Sequence, residues 1–278
     1  MSNYGSLSFT TFGCGVRVQG GDLEAQALLA AKYGPMQGSL KNIGLDYTVS
    51  RKKGNGTFLI TREGQQPLIA SDRGEFLSLF EHDLLIQLQL LRPDLYFLHG
   101  AVLELAGRAI LLVAASGSGK SLTTWALLHH GFRYMSDELA PVDPQTLRVY
   151  PYPRALCLKE KLPGSYPLPE KILSTARTVH IPVEELPRGV SRSPVRVAAI
   201  FFLRYDPQAS GPAMRPISKA EAGVRLFANA LNPLAHPGDG LDGAIGIATK
   251  SACFELVTAD LPATCALVTD ALQTLFRN

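Results

Sequence analysis

The sequence has little charge of either sign and no long apolar run, and these shortages exclude two classes of protein. Charged residues make up 18% of the chain and the formal net charge is only +3, an excess too small to indicate a nucleic-acid binder. No uninterrupted apolar stretch approaches the ~20 residues that cross a bilayer. Residues 1–11 lack the basic head and the apolar run of a secretory signal. We therefore expect a cytoplasmic protein with neither nucleic acid nor membrane among its partners.

Cysteine is scarce as well, and its spacing does not indicate a metal site. The four cysteines occur singly, in apolar or mixed stretches, at positions 14, 157, 253 and 265. We expect them to be buried, reduced thiols. What the chain does have is 46% apolar residues over 278 positions, enough for a packed core in one large domain or two smaller ones.

The first part of the chain, residues 1–85, is predicted to form a small α+β domain. Its predicted elements are a helix from Asp22 to about Tyr33, strands over 46–51, 57–62 and 67–70, and a helix between the Asp72–Glu75 capping box and Arg92. A hairpin turn over 53–56 joins the first two strands, because glycine and asparagine tolerate positive φ. No catalytic constellation is found here, and His82 is predicted to be a surface residue.

The second part, residues 86–278, is predicted to form an α/β domain. Apolar strands over 97–105 and 108–114 meet at a short turn, and a helix follows through about Leu128. Proline and glycine punctuate residues 141–194, which are predicted to be rich in loops. The remaining predicted elements are a strand over 195–205, a helix over 218–231, a mobile glycine-rich segment over 233–246, a strand over 254–258 and a helix from Asp260 to about Phe276.

A glycine-rich turn between the strand over 108–114 and the next helix carries the chemistry. Residues 114–121 are Ala-Ala-Ser-Gly-Ser-Gly-Lys-Ser, which matches the phosphate-loop template G-x-x-x-x-G-K-[ST] except that Ala114 stands at the first glycine. Glycines let successive N–H groups converge on one anion, and the following helix adds its N-terminal amides and dipole. The residues predicted to hold the phosphates are Ser116, Gly117, Ser118, Gly119, Lys120 and Ser121.

Two of these residues have further predicted roles. Lys120 neutralises charge on the β- and γ-phosphates, and Ser121 can offer its hydroxyl to Mg²⁺. The sequence thus predicts ATP and Mg²⁺ as cofactors. Ala114 weakens this prediction only if its position requires a positive φ, where a Cβ costs about 1 kcal/mol.

A pair of acids, Asp137 and Glu138, ends a short apolar stretch after the predicted helix. Ligands of open α/β sheets gather at the carboxyl ends of strands, so these side chains are expected to return toward the phosphates. One carboxylate can hold Mg²⁺ and the other can accept a proton from an attacking hydroxyl. The alternative interpretation is that Asp137 and Glu138 form an ordinary turn on the protein surface and have no role in a site. From its apolar neighbours alone, His99 is expected to be a satisfied core histidine.

The stretch from Leu98 to about Asp143 resembles the catalytic core of bacterial HPr kinase/phosphorylase. The matching features are His99-Gly100, the loop over 116–121, and Gly131-Phe132-Arg133 leading into the two acids. The resemblance implies a P-loop kinase domain of the HPr kinase type, with a central mixed sheet flanked by helices. It also implies that Asp137 is the catalytic acid/base, that Glu138 replaces a second aspartate, and that His99 is close to them. Oligomers are a further implication, although nothing in the sequence identifies an interface.

The whole chain is more similar to stand-alone relatives of that kinase, which have a short N-terminal unit and an element like Tyr150–Leu156. Some of these relatives phosphorylate a serine of lasso-peptide precursors, and others are associated with small peptide-carrier proteins. The glycine-rich, arginine-bearing signature of the carrier-protein kinases is not found here. Arg154, Lys159 and Glu160 occupy the corresponding region without matching it. Arg154 is either a ligand for a phosphoryl group or an acidic substrate, or a surface arginine.

Three functions remain open at this point. The first is an ATP- and Mg²⁺-dependent kinase that acts on a serine or threonine hydroxyl of a peptide or small protein, with Asp137, His99 and Lys120 as catalytic residues. In this reading, Ser121 and Glu138 serve the metal. The second is a small-molecule hydroxyl kinase on the same scaffold. The third is a nucleotide-sensing regulatory module without transfer activity, whose output would not need Asp137.

Overall fold

The computed structural model describes residues 6–21, 23–52, 56–115, 117–159 and 165–277. They form a mixed α/β protein with two compact units. Unit 1 contains residues up to Arg92 together with Pro153–Lys159 and Pro169–Val183, and unit 2 contains the rest of the chain. Among the described residues, no helix combines the length and the apolar character needed to cross a membrane. The predicted division between residues 85 and 86 stays a prediction.

The strands, in chain order, are β1 Leu7–Thr11, β2 Cys14–Gly20, β3 Leu45–Arg51, β4 Phe58–Arg62, β5 Leu68–Ala70, β6 Tyr96–Leu105, β7 Arg108–Val113, β8 Arg133–Ser136, β9 Leu139–Val142, β10 Arg148–Val149, β11 Leu156–Leu158, β12 Leu173–Ser174, β13 Val179–Ile181, β14 Val195–Tyr205, β15 Ala213–Pro216 and β16 Ala252–Thr258. The α-helices are α1 Leu23–Tyr33, α2 Arg73–Leu91, α3 Lys120–His129, α4 Lys219–Phe227, α5 Leu241–Thr249 and α6 Leu261–Arg277. Single 3₁₀ turns cover Gly34–Met36, Val183–Glu185, Pro233–Ala235 and Pro237–Gly240.

Unit 1 is built on a five-stranded sheet of order β1-β2-β3-β4-β5, with a smaller sheet of order β11-β13-β12. Aromatic rings fill its core. Tyr33 stacks on Phe9 with ring centroids 5.2 Å apart, and Phe80 of α2 packs against both Tyr33 and Tyr47. The predicted capping interaction begins α2, because Asp72 accepts a hydrogen bond from the Glu75 amide at 2.8 Å.

A cluster of buried charges also lies in unit 1. Lys32 and Arg154 are 2% and 1% exposed, and both pair with the carboxylate of Glu81; the Lys32 Nζ–Oε2 distance is 2.6 Å. Beside them on β13, His180 is 3% exposed. Its Nε2 is 3.0 Å from the hydroxyl of Thr178, while its Nδ1 has no hydrogen-bond partner among the described residues. Arg154 is therefore not a surface arginine.

The buried imidazole of His180 is expected to make the protein sensitive to acid. Burial, and then the positive charges of Lys32 and Arg154, lower the pKa of His180 from 6.5 to about 3. Between these values the unfolded chain binds a proton that the folded chain does not. The stabilisation is therefore complete above pH 6.5 and is lost as the pH falls toward 3. At pH 4.5 the loss corresponds to roughly 2–3 kcal/mol.

Urea unfolding at pH 7 and pH 4.5 measures this effect. We expect His180→Gln to lose much less stability between the two pH values than the wild type does. His82 is exposed on α2 of the same unit, so His82→Gln is the matched control and should follow the wild type. An equal fall for His180→Gln and the wild type would show that other groups cause the acid sensitivity.

Unit 2 is built on an eight-stranded mixed sheet of order β10-β9-β6-β7-β14-β16-β15, with β8 also paired to β6. Strands β7, β14 and β16 are parallel, whereas β6 is antiparallel to β7, β8 and β9. On one face, Leu111 and Val113 belong to a buried cluster with residues of α4 and α5. Ile110 and Leu112 alternate with them and face the other side, where α3 contacts β6 and β7. Helices thus cover both faces of the sheet around β7.

Several predicted elements need correction, each for a tertiary reason. Strands β1 and β2 were not predicted from the sequence. The region over 141–194 is rich in loops as predicted, and its strands β10 to β13 are only two or three residues long. The segment predicted to be mobile over 233–246 contains 3₁₀ turns and the start of α5, which packs against α4. The helix predicted over 218–231 ends at Phe227, because the next residues pair with β6.

Other predictions are confirmed or lie outside the described residues. His82 is exposed as predicted. The cysteines are free; two of them, Cys253 and Cys265, are buried, whereas Cys14 and Cys157 are half-buried. Asp22 and most of the predicted hairpin turn, residues 53–55, lie outside the residues that the structure describes.

Candidate functional site

Three segments of unit 2 meet at one end of β7. Its last residue, Val113, is paired with Gly100 of β6. On the opposite edge of β6, the Gly100 amide donates a hydrogen bond to the carbonyl of Glu138 at 3.2 Å, and His99 is paired with Leu139. Neighbouring strands lie about 4.8 Å apart. The start of the glycine-rich loop, His99-Gly100 and the two acids are therefore within two strand spacings of each other.

Glycine at position 100 allows this close approach. A Cβ added there would lie 3.1 Å from the carbonyl oxygen of Leu112, tighter than ordinary van der Waals contact. The backbone oxygen belongs to a central strand and has little room to move. Gly100 thus allows β6 and β7 to approach each other closely beside the acids.

The loop has the backbone that a phosphate-binding nest requires. Gly117 and Gly119 have φ values of 82° and 77°, in the left-handed region that favours glycine. Helix α3 begins directly afterwards at Lys120, and its first backbone hydrogen bond runs from the Thr123 amide to the Gly119 carbonyl at 2.9 Å. In the part of the chain that the structure describes, no side chain caps this helix end. The amides of its first turn are therefore directed toward the space that the loop encloses.

The remaining loop residues fit this geometry. Ala114 is buried and is not among the described residues with positive φ, so its Cβ costs nothing there. Ser118 donates its amide to the carbonyl of Ala115 at 3.3 Å, which forms a turn inside the loop. Ser121 is half-buried in the first turn of α3. Ser116 lies outside the described residues.

The Lys120 side chain crosses from the helix to the neighbouring strand. It is only 8% exposed, and its Nζ lies 2.7 Å from Nε2 of His99. A lysine ammonium can only donate, so Nε2 accepts and the proton of the neutral imidazole is on Nδ1. That nitrogen lies 3.4 Å from Oε1 of Glu138. The imidazole thus links the lysine of the loop to a carboxylate, and it is half-buried rather than in the core.

The side chains of Asp137 and Glu138 differ in burial and in their contacts. Asp137 is 2% exposed and its Oδ1 accepts a hydrogen bond from the hydroxyl of Tyr134 at 2.8 Å. Glu138 is half-buried next to His99. The last residue of β8, the buried Ser136, accepts hydrogen bonds from the amides of Glu138 and Leu139 at 3.3 and 3.1 Å. This hydroxyl holds the backbone of Glu138 and Leu139, where β8 and β9 follow each other in the same direction along one edge of β6.

Residues around the acids and His99 were not identified from the sequence. Tyr134 and Ser136 orient the acids, and only their short spacing from Asp137 could have suggested it. The other missed residue is Asn229, whose carbonyl accepts the His99 amide hydrogen bond at 2.8 Å. It comes from a distant part of the chain, so no local pattern could have revealed it. Arg154, by contrast, belongs to unit 1 and to its buried charge cluster.

The residues present fit the cofactors that the sequence predicts. Positive-φ glycines, a helix N-terminus without a side-chain cap among the described residues and an ammonium group are features that fit a polyphosphate. Ser121 and Glu138 supply the hard oxygen ligands that Mg²⁺ prefers. The site thus has donors for the anion and acceptors for the cation.

Comparisons with known proteins add little to this geometry. No family model matches the chain, and no curated protein matches it in sequence. A structure of the Hpr(Ser) kinase/phosphatase from Coxiella burnetii is similar with a TM-score of 0.33 and 11% sequence identity, over 64% of this chain and 97% of that chain. A similarity this low supports neither a fold assignment nor an activity. The functional conclusion therefore rests on the site.

Proposed function

We propose that the protein is a P-loop kinase that transfers the γ-phosphoryl group of ATP to a serine or threonine hydroxyl of a peptide or small protein. One observation carries the proposal. At the end of β7 where the glycine-rich loop begins, Lys120 contacts His99, and His99 in turn lies beside Glu138. The sequence resemblance of Leu98–Asp143 to HPr kinase/phosphorylase supports a hydroxyl acceptor on a polypeptide.

The nest would position the nucleotide. Amides from Gly117 to Ser121 bind the β- and γ-phosphate oxygens, and Lys120 balances their negative charge. In this role Lys120 exchanges its contact with His99 for contacts with phosphate. Ser121 and Glu138 would hold Mg²⁺, which would supply positive charge against the charge that builds up on the phosphates during transfer. Positioning and electrostatics of this kind supply most of the rate in phosphoryl transfer.

The acids would handle the acceptor proton. Asp137 takes the proton of the attacking hydroxyl, and the Tyr134 hydrogen bond holds its carboxylate in one orientation. His99, with its proton on Nδ1, faces the Glu138 carboxylate and so positions the group proposed to hold the metal, while its Nε2 holds Lys120 until the phosphates bind. The hydroxyl oxygen then bonds to the γ-phosphorus while the bond to the β-bridging oxygen breaks, and ADP leaves.

Mass spectrometry tests this proposal. The wild type is incubated with Mg·ATP and the purified products of adjacent genes, and phosphorylated residues are then identified. We expect a phosphoserine or phosphothreonine on one of these proteins, and none with Asp137→Asn. Phosphorylation of a metabolite pool instead would replace the polypeptide acceptor with a small molecule. Binding of ATP without transfer to any acceptor would contradict the proposal and favour a nucleotide sensor.

A further inference from the structure

A short segment continues the sheet beyond the glycine-rich loop. Along one edge of β6, residues 100–105 pair with β7, whereas Leu98 forms an antiparallel bridge with Ala230. The flanking hydrogen bonds join the His99 amide to the Asn229 carbonyl and the Leu231 amide to the Phe97 carbonyl, both at 2.8 Å. The partner of β6 therefore changes between His99 and Gly100. The segment Asn229–Asn232 therefore pairs with the same edge of β6 as β7 does, and it begins where β7 ends and the glycine-rich loop starts.

The side chains of this segment alternate between the two faces of the sheet. Ala230 packs against the buried cluster that includes Leu98, on the face of α4 and α5. Asn229 and Leu231 consequently face the other side, which is also the side of His99 and Lys120. In an antiparallel pair, opposite residues have Cβ atoms about 5 Å apart, which places Asn229 next to His99 and Leu231 opposite Phe97. The Asn229 amide group is held by a hydrogen bond to the Arg225 carbonyl at 2.8 Å.

The surface beside the site is apolar and open. Leu231 is 41% exposed, and Leu234, in the 3₁₀ turn that follows, is 84% exposed. Residues 226–238 contain no aspartate, glutamate, lysine or arginine. Leu231 and Leu234 therefore present apolar side chains on an uncharged segment that begins beside His99. We call Leu231 and Leu234 the apolar ledge.

We propose that the apolar ledge binds the acceptor polypeptide through an apolar side chain close to its serine or threonine; this inference rests on the proposed kinase function. Leu231 is opposite Phe97, two residues from His99 along β6, a distance of about 7 Å. An extended peptide covers about 3.3–3.6 Å per residue. The apolar side chain therefore lies within about three residues of the acceptor hydroxyl. Charged residues on either side of the acceptor serine or threonine would find no opposite charge on residues 226–238 of this protein.

Two pools of synthetic serine peptides test the ledge. In one pool the three positions on each side of the serine are leucine, isoleucine, valine or phenylalanine, and in the other they are serine, asparagine, glutamine or glycine. We expect the wild type to phosphorylate the apolar pool with a kcat/KM about tenfold higher, which is the contribution of one buried leucine-sized side chain. The double variant Leu231→Ser/Leu234→Ser should lose this preference through KM, with unchanged affinity for Mg·ATP.

A control and a second readout separate the possible failures. Leu90 is 68% exposed on α2 of unit 1, so Leu90→Ser should keep the preference. Fluorescence anisotropy with the same pools and a non-hydrolysable ATP analogue measures binding without transfer.

If the wild type binds the apolar pool through the apolar ledge but does not phosphorylate it, the result supports the ledge and contradicts the proposed kinase activity. Turnover of both pools at equal kcat/KM overturns the ledge and leaves the kinase intact. A wild-type dimer in sedimentation that the double variant dissociates would also overturn it, because the ledge would then be a contact between two copies of the chain.

Discussion

Lys120→Ala is expected to weaken the binding of Mg·ATP about 100-fold or more. The loop brings this ammonium group to the space between the nest and His99, where it is only 8% exposed. Hydrogen bonds to charged groups contribute about 1.5–3 kcal/mol each, and a lysine that reaches both the β- and γ-phosphates makes two of them. A loss of about 3 kcal/mol corresponds to slightly more than 100-fold in the dissociation constant.

Isothermal titration calorimetry with Mg·ATP measures the change. Lys250 is exposed at the end of α5 in the same unit, so Lys250→Ala is the matched control and should bind as the wild type does. Circular dichroism is the check that Lys120→Ala is folded, since the substitution also removes the contact with His99. A change of less than threefold in the folded variant would contradict the assigned role of the lysine.

Asp137→Asn is expected to lower kcat by about 10² to 10⁴ while leaving the affinity for Mg·ATP within threefold of the wild type. The amide has nearly the shape of the carboxylate and its oxygen can still accept the Tyr134 hydrogen bond, so the local structure should persist. It cannot accept a proton, and a positioned general base contributes that range of rate. The loss should therefore appear in transfer and not in nucleotide binding.

Single-turnover phosphorylation of the acceptor separates this step from binding. Asp270 is exposed on α6 of unit 2, and Asp270→Asn serves as the control with unchanged turnover. Glu138→Gln should behave differently from Asp137→Asn, because the role proposed for Glu138 predicts a higher requirement for Mg²⁺. If Asp137→Asn kept more than half of the wild-type kcat and Glu138→Gln lost it, the two acids would have to exchange roles.

The strand, glycine-rich turn and helix over residues 108–129 were predictable because their sequence signals are local. A strand, a Gly-Ser-Gly-Lys-Ser turn and a helix occur within a few residues, and the positive φ of Gly117 and Gly119 follows from the need to point amides inward. The concern over Ala114 disappears in the structure, since that position does not adopt a positive φ. The return of Asp137-Glu138 toward the loop was predicted from their position at the end of a short strand, and in the structure they follow β8, which runs in the same direction as β7.

The surroundings of the site were not predictable, because long-range pairing decides them. Periodicity favoured a helix through Leu231, but pairing with β6 ends α4 at Phe227 and brings Asn229 beside His99. The composition around Pro237-Gly238 suggested mobility, yet α5 packs on α4 so closely that a Cβ at Gly223 would lie 3.0 Å from Ile245. In both places tertiary contacts outweigh local propensity.

Calorimetry of the wild type with ATP and with AMP, each with Mg²⁺, tests the phosphate nest most directly. In the proposed function the amides from Gly117 to Ser121 and the Lys120 ammonium bind the β- and γ-phosphates, which AMP lacks. The account predicts a saturable heat with ATP and at least about 100-fold weaker binding of AMP. Equal affinities for the two nucleotides, or no heat with ATP in the folded protein, would contradict it.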